Sequence, residues 1–160
     1  MSKRTGWAVA AALAVGIAMA SGPALAMGSS DPPPKTAVDP NYTEAVKKIE
    51  AKDYKAAIAL LEKAVAANAS YADAFNYLGY ANRNIGEKDK ALAYYKKALE
   101  IDPKHKGAHE YVGELYLMLN NLPMAEQHLA QLSRICGPSC EEYRDLKENV
   151  DAYKAGKPKS

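Results

Sequence analysis

The chain has 160 residues, 48% of them hydrophobic and 25% charged, a balance that excludes both a disordered polyampholyte and a polytopic membrane protein. Lysine and arginine total 21 against 19 acidic residues. The excess is Lys3 and Arg4, so positions 27–160 are neutral overall. A protein that grips nucleic acid by neutralising phosphates shows a basic surplus, and no nucleic-acid partner is expected. The aromatic inventory is lopsided, with 11 tyrosines, one phenylalanine and one tryptophan.

Positions 1–26 read as a secretory signal peptide. Lys3 and Arg4 form a positive start, Trp7 to Ala20 is an unbroken apolar run of 14 residues, and Ala24-Leu25-Ala26 supplies a small-x-small cleavage pattern. The run is shorter than the ~20 apolar residues that cross a bilayer, and no cysteine stands near the cut to carry a lipid. Cleavage after Ala26 is expected. That would place the mature chain in the periplasm or outside the cell, with no stable membrane insertion. Residues 27–40 follow as a linker, stiffened by Pro32-Pro33-Pro34.

Beyond the linker the sequence repeats with a period of 34: Ala57, Ala91 and Ala125 coincide, as do Leu61, Tyr95 and Leu129, then Ala64, Ala98 and Leu132. Gly79 coincides with Gly113, and Ala45 holds the same slot in the first copy. Each copy divides into two helices. Tyr42, Ala45, Val46 and Ile49 share one helical face, as do Ile58, Leu61, Ala64 and Val65. The second copy places Phe75, Leu78, Gly79 and Asn82 in one helix and Ala91, Leu92, Tyr95, Ala98 and Leu99 in the next. Gly86 marks the turn between them, and Asp102-Pro103 the stop. The third copy turns at Asn120-Asn121-Leu122-Pro123. Small residues at Gly79, Gly113, Ala91, Ala98 and Ala125 let antiparallel helices approach closely, with Tyr95 and Leu129 expected to fill the gaps.

These residues resemble the tetratricopeptide repeat. Its pattern of aromatic-x-x-Leu-Gly, Ala-x-x-x-Tyr, Ala and Pro is met in the second copy by Phe75, Leu78, Gly79, Ala91, Tyr95, Ala98 and Pro103, with Asn82 where tyrosine is usual. The third copy keeps Gly113, Tyr116 and Ala125 but has His109 and Val112 at other signature slots, while the first keeps Ala57 and Ala64. The resemblance implies an all-α fold, a right-handed superhelical array of three helix hairpins over residues 41–153. The repeats fall at about 38–71, 72–105 and 106–139. A last helix at 139–153 carries Tyr143, Leu146, Val150 and Tyr153 on a narrow apolar seam and is expected to cap the open end, ahead of a polar tail at 154–160.

The resemblance also implies a concave face lined by the first helix of each repeat, where an extended peptide or a helix docks. Carried onto this chain, the peptide-binding positions are Tyr42, Asn76, Tyr80, Arg83, Asn84, Glu110, Glu114 and Met118, with Val46, Ile49 and Asp73 beside them. The paired lysines and asparagines that hold a C-terminal carboxylate in some relatives do not appear. Arg83 is the one cation mapped among Asp73, Glu110 and Glu114, so a neutral or mildly basic segment is expected.

Cys136 and Cys140, in Cys136-Gly137-Pro138-Ser139-Cys140, are the two cysteines. An exported chain favours a disulfide between them, one that staples the cap helix to the third repeat. Two other readings stand beside this one. Cys140 at a helix start could serve thiol redox chemistry, or the pair could hold a metal with His105, His109 or His128. The residue after Cys140 is Glu141, so the haem-attachment pattern fails. His109-Glu110 begins a helical zinc-protease motif, but Gly113 stands where the second histidine must be. No catalytic residue, metal or cofactor is expected. The reading is an exported, non-catalytic adaptor with a protein or peptide partner in the cell envelope.

Overall fold

A computed structural model describes residues 39–156, which lie within one compact unit spanning 36–160. The expected signal peptide and nearly all of the expected linker lie outside the described residues. Seven helices follow in chain order: α1 (Pro40–Glu50), α2 (Tyr54–Ala67), α3 (Ala72–Asn84), α4 (Lys88–Ile101), α5 (Lys106–Met118), α6 (Leu122–Ile135) and α7 (Glu141–Lys154). Among the described residues there is no strand.

Short polar residues start α1, α2 and α6 by accepting amide protons that the first turn leaves unpaired. Asp39 Oδ1 accepts from the backbone N–H of Asn41 and Tyr42, at 2.7 and 3.2 Å. Asp53 caps α2 through the Ala56 amide, and Asn121 caps α6 through that of Met124. Asp39 and Pro40, read as the end of the linker, are thus the cap and first residue of α1. Left-handed backbone follows five of the helices, at Lys52, Gly86, Asn120, Gly137 and Gly156. Gly86, at φ +89°, takes this conformation without the steric cost a Cβ would impose.

α1–α2, α3–α4 and α5–α6 are antiparallel hairpins, and each hairpin packs its first helix against the second helix of the one before. The odd-numbered helices also touch their successors, α1 to α3, α3 to α5 and α5 to α7. The core falls into two clusters. Ala45, Ala57, Leu61, Ala64, Ala74 and Leu78 fill the first; Ala91, Tyr95, Val112, Leu115, Leu132, Leu146 and Val150 anchor the second.

Close approach depends on two glycines. A Cβ on Gly79 would sit 2.5 Å from two atoms of the Tyr95 ring, so Tyr95 fills that gap as expected. At Gly113 the occupant is Leu146 of α7, 2.6 Å from where a Cβ would lie, and not Leu129, which is only partly buried at the edge of the same cluster. The physical reason is the cap itself. α7 lies against α5 in the position a further repeat's first helix would take, and its fully buried leucine reaches Gly113.

Candidate functional site

α1, α3, α5 and α7 border an open cleft of about 580 Å³. Tyr42, Asn76 and Glu110, one period apart in sequence, form a row along it, one from each repeat. At the α1 end the Tyr42 ring lies 4.7 Å from Tyr71 and 5.8 Å from Tyr77 between centroids. Burial, reinforced by the Asp73 charge, pushes its phenol well above the usual range. The Tyr42 hydroxyl therefore stays neutral and able to donate.

Asn76 occupies the middle of the row. It is only 5% exposed, and its Oδ1 has no hydrogen-bond partner. Gly107 faces it closely: a Cβ there would lie 3.2 Å from Asn76 Nδ2, so glycine keeps room for the amide. Beside it His105 joins two repeats. Its Nδ1 accepts from the Ala108 amide at 3.1 Å, which leaves Nε2–H to donate to Asp73 Oδ1 at 3.0 Å. That hydrogen bond holds the Asp73 carboxyl below its usual range.

The far wall is acidic. Glu110 from α5 faces Glu141, Glu142 and Asp145 from the first turns of α7 across the cleft. Burial first, then the charges of Glu114, Asp145 and Glu142, push the Glu110 carboxyl up to about 8 against a weaker opposing pull from Arg83. Lys106 Nζ lies 2.7 Å from Glu142 Oε1. Among the described residues no ion pair reaches Glu110 or Asp145. Glu141 and Glu142 also sit where negative charge complements the helix macrodipole, but their second role as a cleft wall carried no local sequence signal.

Of the residues mapped from sequence, Tyr42, Asp73, Asn76 and Glu110 line the cleft. The others do not. The Arg83 guanidinium is paired with Glu114 and lies over the Tyr80 and Tyr111 rings at 5.3 and 5.4 Å from their centroids. Glu114 Oε1 additionally accepts from Asn149 Nδ2 at 2.7 Å. These contacts tie α3, α5 and α7 together, so Arg83, Glu114 and Tyr80 brace the wall of the site. Asn84 is exposed and donates to the Tyr80 carbonyl one turn back. Met118 is 46% exposed at the far end of α5, and Ile49 packs on the first core cluster. Tyr77, Tyr111, His105, Lys106 and the α7 acids were missed in the sequence, because they belong to neighbouring helical turns or to the cap.

Cys136 and Cys140 are joined, with Cα atoms 5.8 Å apart, across the turn in which Gly137 adopts φ +78°. Cys140 is the residue that begins α7. The acid within ligating reach of this pair is Glu142, and none of the three histidines suggested from sequence belongs to that group. His109 is instead packed in the core: its Nε2–H donates to the Pro103 carbonyl at 3.0 Å, so its Nδ1 accepts from His128 Nδ1–H at 2.9 Å. Among the described residues no helix is long and apolar enough to cross a membrane.

Two tetratricopeptide repeat models match the sequence, over residues 72–105 and 94–127. Residues 72–127 thus match the tetratricopeptide repeat. The first match coincides with the α3–α4 hairpin. The structure superposes on the Yersinia enterocolitica type III secretion chaperone SycD in complex with a peptide of the translocator YopD, with a TM-score of 0.63 and 19% identity over 72% of this chain and 88% of that one. It also superposes on the first tetratricopeptide repeat domain of Spaghetti (RPAP3) bound to an HSP90 peptide, with a TM-score of 0.64 and 15% identity over 72% and 90% of the two chains. These likenesses establish the fold, an all-α superhelical repeat array. Among curated proteins, heat shock protein STI1 of Saccharomyces cerevisiae is 34% identical over 65 residues, 41% of this chain and 11% of that protein. The human O-mannosyl-transferase TMTC3 is 32% identical over 75 residues and 8% of its own length. The chain therefore spans about a tenth of the curated relatives it matches.

Proposed function

We propose that this chain is an exported tetratricopeptide-repeat adaptor, non-catalytic, that holds an extended segment of a partner protein in the cleft between α1, α3, α5 and α7. The observation that carries the reading is Asn76. A buried side-chain carbonyl without a partner costs about 1–3 kcal/mol, and here it borders an open cleft flanked by tyrosines. A peptide's backbone N–H groups are donors suited to satisfy it, and rigid tyrosine faces supply contact area at low entropic cost. The similar array of SycD holds a YopD peptide and that of Spaghetti an HSP90 peptide, which supports the same use of the fold here.

Export rests on the leader pattern of Lys3, Arg4, the Trp7–Ala20 run and Ala24-Leu25-Ala26. The short-range cysteine pair suits an oxidising compartment, periplasmic or extracellular. The partner is accordingly a protein of the cell envelope. Affinity capture from envelope extract, comparing the wild-type chain with Asn76→Ala/Tyr77→Ala, tests the cleft. Equal recovery of the same partner by both refutes it. Fractionation of cells expressing the full chain tests export, and an unprocessed product in the cytoplasm refutes it.

A further inference from the structure

The α5–α7 end of the cleft has a chemistry of its own. Glu110, Glu141, Glu142 and Asp145 converge there from two helices, and the charges of Glu142 and Asp145 fall directly on Glu110. Like charges gathered in a half-buried place repel, so Glu110 keeps its proton until an entering cation displaces it and relieves the arrangement. The chain's own cations do not supply that relief at Glu110. Arg83 is held by Glu114 and by two tyrosine faces, Lys106 reaches Glu142, and His105 is committed to Asp73 and the α5 amide. Lys104, which also lines the cleft, forms an ion pair with none of its acids among the described residues. The Lys106–Glu142 pair does show that an ammonium fits against this wall.

A second and independent feature points the same way. Asn76 is 95% buried by its 5% exposure, lines the same cleft, and presents an unpartnered Oδ1, an atom that can only accept. Residues carrying acceptors therefore line the cleft from α3, α5 and α7. Tyr42, Tyr77 and Tyr111 supply aromatic surface along the same cavity, which suits the methylene stem and the charge of a long basic side chain.

We propose that this end of the cleft is a receptor for a lysine or arginine side chain of an extended protein segment, its cation held between Glu110 and Asp145 and an N–H donated to Asn76 Oδ1. This deepens the adaptor reading and rests on it. The preference is opposite to that of a groove built to take a terminal carboxylate: an acidic segment would meet the same wall as repulsion, so the acids select as well as attract.

The test uses the mature chain and a displayed library of random peptides, so no partner need be known. Peptides selected on the wild-type protein are synthesised with each lysine replaced by norleucine or each arginine by citrulline, and binding is measured by fluorescence anisotropy. The expected result is enrichment of basic peptides, with one replacement weakening binding about tenfold. Glu110→Gln/Asp145→Asn should weaken the basic peptide by a similar factor while leaving its norleucine form unchanged. Circular dichroism confirms that the variant folds. Tight peptides that lack a required basic residue, yet are lost in Asn76→Ala/Tyr77→Ala, overturn the cation receptor and leave the adaptor cleft standing. Peptides indifferent to all four substitutions, or no enrichment at all, overturn both.

Discussion

Replacing Arg83 with alanine should damage the fold far more than a groove residue would. Its side chain is 12% exposed and that of Glu114 22%, and the pair links α3 to α5. Removing one member of a buried ion pair costs about 3–5 kcal/mol, because the other is left charged and unpaired. Glu114 keeps the Asn149 amide and some water, which places the loss near the lower bound. The two tyrosine faces under the guanidinium add about 0.5–1 kcal/mol each when lost. A loss of about 4–5 kcal/mol is expected, or a fall in Tm of about 15 °C for a unit of this size. Urea unfolding followed by far-ultraviolet circular dichroism measures it. Replacing both partners, as Arg83→Met/Glu114→Leu, removes the stranded charge and should recover much of the loss. A stable Arg83→Ala protein, within about 1 kcal/mol of wild type, that nonetheless fails to bind a partner would refute the bracing role and return Arg83 to the ligand.

Other outcomes follow from the same geometry. Gly79→Ala gains up to about 1 kcal/mol of helix propensity but drives a methyl into the Tyr95 ring, so a net loss of about 1–3 kcal/mol is expected by urea titration. Glu110 holds its proton in the folded chain up to about pH 8, whereas the unfolded chain releases it near 4.5. Its contribution to stability is therefore complete below 4.5 and lost as pH rises through 8, and Glu110→Gln should flatten that decline in Tm. His128 runs the other way. Burial, then the neighbouring His109, holds its imidazole down to about 4, so its contribution is intact above about 6.5 and lost as pH falls towards 4. A His128→Gln chain should lose that acid-side slope when melted across the same window. Cys136→Ser/Cys140→Ser opens a very short loop and should cost at most about 2 kcal/mol while partner capture persists. Loss of all function, or two fast-reacting thiols in the protein purified from its oxidising compartment, would favour the thiol-chemistry reading instead.

The repeat period made most of the fold legible. Ala57, Ala91 and Ala125 recur because close helix packing imposes the same steric demand in each hairpin, and such a demand leaves the same mark each time. The stops at Gly86, Asp102-Pro103 and Asn120-Asn121 could be read for a similar reason, since backbone geometry is a local matter. The cleft was only half legible. Tyr42, Asn76 and Glu110 follow from the period, because one helical face repeats. Arg83 looked like the groove's cation because its partners, Glu114 and the rings of Tyr80 and Tyr111, come together only when α3 lies beside α5. Leu146 stands one period after Val112, itself one period after Leu78, so α7 keeps the register of a further first helix. Its seat at Gly113 was missed because α7 reads as a separate cap, and which side chain fills a helix-crossing gap is set by tertiary packing.

The seating of Leu146 against Gly113 has a consequence for how such a molecule can lengthen. The berth a fourth hairpin would need is already taken, and its tenant is tethered by the Cys136–Cys140 link one turn upstream. A duplicated unit spliced in after Cys140 would have to evict α7 and with it Glu141, Glu142 and Asp145. Inserted ahead of α5, the same unit would leave that acidic corner whole. Insertion ahead of α5 is thus the route that keeps this corner intact.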